Sequence, residues 1–422
     1  MSDHKRTARV VHHIAEVDAK AWNACANPGG DLAFDPFLSH AFLKALEDSG
    51  CVSARSGWQP FHLLLEDTHI LNASAGDTHS SKIPSGISSE DTHSSFTEKQ
   101  PELVGAVPLY LKSHSQGEYV FDYAWADALQ RAGGAYYPKL QSSIPFTPVT
   151  GRRLLVAASQ DRVEAESQLL AGCVQVANQL DVSSLHFTFL PETQWQHLGG
   201  LGLLKRIDQQ YHWHNHNYPS FDAFLADLSA KKRKNIRRER RDALQQEISV
   251  EWVTGSDLTE AHWDAFFQFY MDTGSRKWGS PYLNRRFFSL ITETLAEHIL
   301  LIMAKRGGRF IAGALNFIGS DTLYGRNWGC CEDHPFLHFE ICYYQAIEFA
   351  IQHGLKHVEA GAQGQHKIAR GYVPEPTFSA HWIRDASFRR AIEEFLEDER
   401  NYVQQDIDYL SSHTPFRHES GG

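Results

Sequence analysis

Between Thr322 and Gly371 a strand, a turn, a long apolar helix, a second strand and a basic loop follow one another, and no other stretch restricts the fold as much. Thr322 to Trp328 reads as the first strand. Gly329 and the Cys330-Cys331-Glu332-Asp333-His334-Pro335 segment read as the turn. From about Phe336 to His353, Phe339, Cys342, Ala346, Phe349 and Ala350 recur at three- and four-residue spacing. Ile341, Tyr344 and Ile347 widen that apolar face, so the helix is expected to pack on a sheet and on something else. Gly354 stops it, because glycine takes the left-handed conformation that helix ends commonly need. Lys356 to Glu359 is the second strand, and the glycine-rich segment beyond it carries His366, Lys367 and Arg370. This order of elements makes a cofactor cradle.

The 422 residues, 42% of them hydrophobic, are enough for two or three cores. No run of about 18 apolar residues occurs, and the polar Met1 to Arg9 has no apolar stretch behind it. Neither a membrane span nor a secretory signal is readable, and the expected location is the cytoplasm. Six cysteines, two of them adjacent, make no secreted disulfide framework. The net charge of −11 argues against a general nucleic-acid coat protein but leaves room for one local basic site.

Earlier in the chain, Val10 to Val17 reads as a strand, and Asp35-Pro36-Phe37 leads into an amphipathic helix ending near Ser49-Gly50. Phe61 to Glu66 and Leu103 to Leu111 read as paired strands. Between them Thr68 to Pro101, poor in large apolar residues and carrying three Asp-Thr-His units, reads as a disordered insertion. Ile144 to Val149, Thr150-Gly151-Arg152-Arg153, Arg162 to Leu180 and Ser184 to Leu190 repeat the strand, turn, helix, strand order of the later stretch. Two similar domains are therefore expected, 1–218 and 219–422, with the insertion at 68–101 in the first.

Alternation places His212, His214 and His216 on one strand face, but steps of about 6.5 Å are too long for neighbours to share a zinc easily. Cys330, Cys331, His334, His338 and Cys342 include metal-ligand types without the C-x-x-C pairing of structural zinc. No metal is expected.

The sharpest charge contrast is Lys231 to Arg241, eight basic groups against one acid. That segment carries +7, so the rest of the chain carries −11 − 7 = −18. As a helix begun at Ser229 it stacks Arg233 under Arg237, Lys234 under Arg238 and Arg237 under Arg241, at about 0.2–0.5 kcal/mol of repulsion each. Cations at its N-terminal end oppose the helix dipole as well. The segment needs acids from elsewhere in the chain or an anionic ligand over Lys234, Arg237, Arg238 and Arg241, such as phosphate on a cofactor or on RNA. After it come a strand, two helices, three apolar strands around Ile299 to Trp328, a late strand at Phe378 to Ile383 and a charged helix from Ala386 to Leu410. Strands mostly precede the long helix, which points to a mixed α/β sheet.

There is no G-x-S-x-G elbow, no G-x-x-x-x-G-K-[ST] loop, no G-x-G-x-x-G after a strand and no H-E-x-x-H. The remaining set of basic helix, cradle and basic loop suits a transferase with a phosphate-bearing donor.

LSAKKRKNIRRERRDA (Leu228 to Ala243), YGRNWG (Tyr324 to Gly329), AIEFAIQHGLKHVEAG (Ala346 to Gly361) and QHKIARGY (Gln365 to Tyr372) carry a resemblance. Together with PFTPVTGRRLL (Pro145 to Leu155) and VPEPTFSAHWI (Val373 to Ile383), they resemble bacterial N-acyltransferases of the peptidoglycan biosynthesis or recognition type. That family is similar to the Fem aminoacyltransferases and to the acyl-CoA N-acyltransferase superfamily. The resemblance implies two tandem acyltransferase-like domains, an acyl-CoA-type donor and an amine acceptor between the domains. An aminoacyl-tRNA donor acting on a cell-wall precursor is one alternative, and a non-catalytic glycan- or peptide-recognition protein is another.

In acyl-CoA enzymes of this superfamily a [QR]-x-x-G-x-[GA] loop cradles pyrophosphate. Here Arg326-Asn327-Trp328-Gly329-Cys330-Cys331 supplies Arg326 and Gly329 but has Cys331 where a small residue is expected. The resemblance to Fem enzymes implies that Lys367 stabilises the tetrahedral oxyanion or the donor's carbonyl. Glu359 or His366 could accept the amine's proton. Arg326 and Arg370 could hold a carboxylate or phosphate, or pair on the surface. Tyr324, Trp328 and Tyr372 could line a substrate site or fill the core.

Overall fold

The structure, a computed structural model, describes residues 3–70, 101–277, 281–361 and 364–417. A four-stranded antiparallel sheet has the order β1 (Asp3–Val11), β3 (His62–Ile70), β4 (Glu102–Val107), β7 (Leu155–Val156). An eleven-stranded sheet begins with β10 (Ile248–Thr254), β11 (Ile299–Arg306), β12 (Arg309–Ile318), β13 (Thr322–Cys330) and β14 (His357–Glu359). It continues through β9 (Leu204–His214), β15 (Val373–Ile383), β8 (Ser184–Leu190), β6 (Lys139–Ser142), β5 (Leu109–Lys112) and β2 (Trp58–Pro60).

Two contacts in the large sheet are parallel, β6 with β8 and β13 with β14. Each lasts three residue pairs, Leu140–Ser142 beside Leu185–Phe187 and Thr322–Tyr324 beside His357–Glu359. A parallel pair needs a crossover, and each pair has a helical one. The first is Arg162–Gln179; the second is the run Leu337–Phe339, a π turn Glu340–Tyr344 and Gln345–Gln352. The same unit therefore occurs twice, as the repeated element order predicts. β15 lies between β8 and β9, so the large sheet is continuous through both halves of the chain.

The core follows this layout. Phe37 and Phe42 from the first half meet Phe317 and Phe287 from the second, with ring centroids 5.0 and 5.8 Å apart. The helical run after β13 covers its own cluster, which includes Ile341, Ile347 and Ala350 together with Trp213 and Tyr372. No helix among the described residues is long and apolar enough to cross a membrane.

Several expectations change. The first strand is Asp3–Val11, not Val10 to Val17, because His13 accepts from Ala15 N and starts a short turn at Ile14–Glu16. Leu103 to Leu111 is broken at Pro108, which has no N–H for a ladder. Glu102–Val107 stays in the small sheet and Leu109–Lys112 joins the large one. The strand expected at Ile144 to Val149 is irregular, with Phe146 left-handed at φ 58°; Lys139–Ser142 is the strand instead. Thr68 to Ile70 complete β3, and the rest of the expected insertion, 71–100, lies outside the described residues.

Candidate functional site

Where β13 and β14 part, two sets of expected site residues gather. β13 has a bulge at Arg326: Asn316 pairs with Gly325 and Leu315 with Asn327, so Arg326 is unmatched. Its guanidinium turns toward the first half and donates Nη2 to the carbonyl of Phe146 at 2.6 Å. Tyr324 packs on Phe37, 5.2 Å between ring centroids, as part of the core shared by the two halves.

Glu359, at the end of β14, completes this first set. Burial, and secondarily the charge of Asp35, raise its carboxyl to about 8 against the opposing pull of Arg326. Its Oε2 has no hydrogen-bond partner among the described residues. That oxygen is sealed from solvent although the residue as a whole is only half-buried, and a carboxylate so placed favours its neutral form.

The second set surrounds the π turn. Lys367 lies in a short helical turn, Gln365–Arg370, and is 1% exposed. Its Nζ donates to Gly361 O at 2.9 Å, and burial pulls its pKa down to about 7. His366 is exposed, its Nε2 2.9 Å from Tyr343 Oη and its ring beside Phe339. Burial, then the Arg370 and Lys367 charges, lower its pKa. Tyr372 is fully buried, edge-on to Tyr343, and its hydroxyl has no partner among the described residues.

Arg370 is engaged internally. Its guanidinium lies 3.4 Å over the Phe339 ring, donates Nη2 to Glu239 at 2.9 Å and Nη1 to His366 O at 2.8 Å. The expected surface pairing is replaced by an ion pair that is largely buried.

The basic segment is a helix, Ala230–Ala243, and it divides its charges. Arg240 turns inward to Glu340 and Glu348, at 2.9 and 2.6 Å. Glu239 accepts from both Arg370 and Tyr344, which fastens the helix to the Lys367 loop and the π turn. Arg233, Lys234, Arg237, Arg238 and Arg241 line an outward groove of about 280 Å³. Among the described residues, light pairing offsets them, Arg237 with the exposed Asp222 and Arg241 with its neighbour Asp242.

The turn expected at Gly329 is displaced. β13 continues to Cys330, and a Cβ at Gly329 would collide with the backbone carbon and oxygen of Phe269 in the helix Glu260–Lys277. Gly329 therefore permits helix-on-strand packing, its side-chain direction being filled by Phe269. The pocket between the end of β13 and Leu337, about 280 Å³, is lined by Trp328 and His338 and also by Glu332 and Asp333. Glu332 is already paired with Arg306 and Arg309, so the mismatch with the CoA cradle that the resemblance implies lies in the packing at Gly329, in Cys331 where a small residue is expected and in the carboxylate of Asp333.

The equivalent parting in the first half is filled by the chain itself. Beyond Ser142, the fully buried Arg153 donates Nε to Thr188 O and Nη2 to Val149 O, at 3.0 and 2.8 Å. Of the expected histidine set, His212 and His214 lie on one face of β9. His214 contacts His357 at 3.0 Å and Glu375 at 2.7 Å. Among the described residues no three His, Cys, Asp or Glu side chains gather so as to hold a metal.

Sequence reasoning missed a buried ionic cluster in the first half. Lys139 Nζ holds Ser115 at 2.9 Å and Glu118 at 2.7 Å, together with Asp122. Lys112 sits 3.7 Å over the Trp58 ring. Lysines inside apolar strands were the available signal.

FemX matches with 13% identity and a TM-score of 0.51, over 92% of this chain and 100% of FemX. A tandem GNAT protein from the clavulanic acid biosynthesis pathway matches with 10% identity and a TM-score of 0.43, over 90% and 98%. The L-PGS of Bacillus licheniformis matches with 9% identity and a TM-score of 0.44, over 69% and 86%. At these identities the FemX likeness speaks for the fold. No curated protein matches the sequence. The FemAB-like family, described as peptidoglycan biosynthesis/recognition, matches residues 13–418, and the chain belongs to that family.

Proposed function

We propose that the protein transfers an acyl or aminoacyl group from a phosphate-bearing donor to an amine, with Lys367 at the reacting carbonyl. The observation that carries this reading is the placement of Lys367. It is a buried amine with one hydrogen bond among the described residues, to Gly361 O, beside a π turn and in a loop that Glu239 of the basic helix fastens through Arg370. A cation in a site closed to water stabilises a developing oxyanion far more than the same cation would in solvent. The oxyanion in turn favours the protonated amine, so Lys367 takes up a proton as the donor is engaged.

Glu359 is the proton acceptor in this reading. Its protonated carboxyl at neutral pH requires the active form to appear as Glu359 ionises near pH 8, while Lys367 loses its charge near pH 7. Activity then peaks between these values, carried by the minor population with both groups charged. His366 hydrogen-bonds Tyr343 at the mouth and acts in orientation.

The basic groove and the poor fit at Gly329 favour a polyanionic donor of the aminoacyl-tRNA kind over acyl-CoA. The division into acyltransferase-like domains 1–218 and 219–422, and a cytoplasmic place of action, belong to the same reading. Binding separates the donors. Labelled tRNA is expected to bind with an affinity that falls steeply with salt and is weakened in Arg237→Ala/Arg238→Ala. Salt-independent tRNA binding, or saturable acetyl-CoA binding abolished by the same double substitution, would count against it.

A further inference from the structure

A cleft of about 220 Å³ is lined by Tyr119, Phe121 and Phe189, by Asp208 and Thr377, and by Gly364, whose carbonyl accepts the backbone N–H of Lys367. Tyr119 and Phe189 hold left-handed backbones, φ 60° and 56°, a conformation that bulky side chains rarely adopt. Such positions persist where surrounding structure enforces them. The enforcing structure is visible here. Glu118 and Asp122 bracket the Tyr119-Val120-Phe121 wall, and both are fastened to the fully buried Lys139. Arg206 holds the same wall from outside by donating to Phe121 O at 2.8 Å.

The charges leave one anion over. Arg206 is matched by a two-pronged pair with Glu399, at 2.8 and 2.7 Å. Lys139 and Lys112 together are matched by Glu118 and Asp122. Asp208 accepts only the N–H of Gln209, and no cationic side chain among the described residues lies within ion-pair distance of it. Asp208 is itself exposed at the cleft, so its carboxylate is open to a cation entering there.

The geometry points to this cleft as a preformed subsite for a small amine cation on an apolar or aromatic stem, its ammonium on Asp208 and its stem between Tyr119, Phe121 and Phe189. Aromatic faces and a carboxylate together select a cation over an anion of the same shape. The volume is below the 300–1,000 Å³ usual for drug-sized ligands, so the bound group is compact. The inference deepens the transferase reading by giving the acceptor its class, and Lys139 becomes a positioning residue for the wall.

The test is calorimetric titration of the full chain, without donor, with phenethylamine and with its anionic counterpart 3-phenylpropionate. Saturable binding of the amine alone is expected, weakened at least tenfold in Asp208→Asn. A comparable loss is expected in Tyr119→Gly, where glycine tolerates the left-handed backbone. No amine binding, equal binding of the anion, or amine binding unchanged in both variants overturns the inference. Amine binding with these properties in a protein that transfers no acyl group sustains the subsite and removes the transferase reading. Transfer to amines that Asp208→Asn leaves unaltered does the reverse.

Discussion

Arg326 and Phe146, 180 residues apart, are joined by a 2.6 Å hydrogen bond from a bulged arginine to the carbonyl of a left-handed aromatic residue. The bond ties the parting of β13 and β14 to the first half of the chain and sets a positive charge beside Glu359. Arg326→Met leaves the Phe146 carbonyl without its donor and is expected to destabilise the fold by about 1–3 kcal/mol. It also removes the charge that restrains the Glu359 carboxyl, so the alkaline rise in activity moves to higher pH. Urea denaturation and a pH–rate profile check the two effects.

Lys367 gives a stability signature independent of activity. Its folded pKa, about 7, is below the ordinary 10.5, so the folded state binds this proton less readily than the unfolded state. Its contribution is fully present above about pH 10.5 and is lost as pH falls through 7. Lys367→Met is therefore expected to be more stable than the parent at pH 6 and to differ little near pH 10.5. The upper bound on the difference is roughly 4–5 kcal/mol. Melting curves of both proteins across this range measure it.

Glu359 carries the opposite sign. Its carboxyl is raised from 4.5 to about 8, so its contribution is present below pH 4.5 and lost as pH rises through 8. Glu359→Gln is expected to gain stability over the parent at pH 8 to 9, and not at pH 4, in the same melting experiment.

The basic helix separates binding from folding. Arg237→Ala/Arg238→Ala removes two groove cations and is expected to flatten the salt dependence of polyanion binding by about 1–2 units of slope, with the melting temperature unchanged. Arg240→Ala strands the fully buried Glu340 and is expected to cost about 3–5 kcal/mol. Salt-series binding and denaturation distinguish the two variants.

Local chemistry was legible in the sequence, and long-range pairing was not. Ser184 to Leu190 reads as a strand with the bounds the structure has, because Leu185, Phe187 and Phe189 alternate with Ser184, His186 and Thr188 at the period of a strand. The like charges of Lys231 to Arg241 announced a helix in need of anions, though only tertiary contacts show that Arg240 meets its acids inside. The neighbours of β15 were hidden, since nothing local in Val373 to Ile383 says that it lies between β8 and β9. The cleft at Asp208 was hidden for the same reason, with walls from residues 119–121, 189 and 377. Gly329 was misread as a loop glycine because a strand glycine under a helix backbone leaves the same letter.

The account rests on Lys367 acting at the reacting carbonyl. A single-turnover assay measures this directly, with aminoacyl-tRNA or acyl-CoA as donor and a primary amine as acceptor, comparing the parent protein with Lys367→Met. The account predicts transfer by the parent and a rate about 10²–10³-fold lower in Lys367→Met with donor affinity unchanged. Undiminished transfer by Lys367→Met, or no transfer from either donor by the parent, would contradict it.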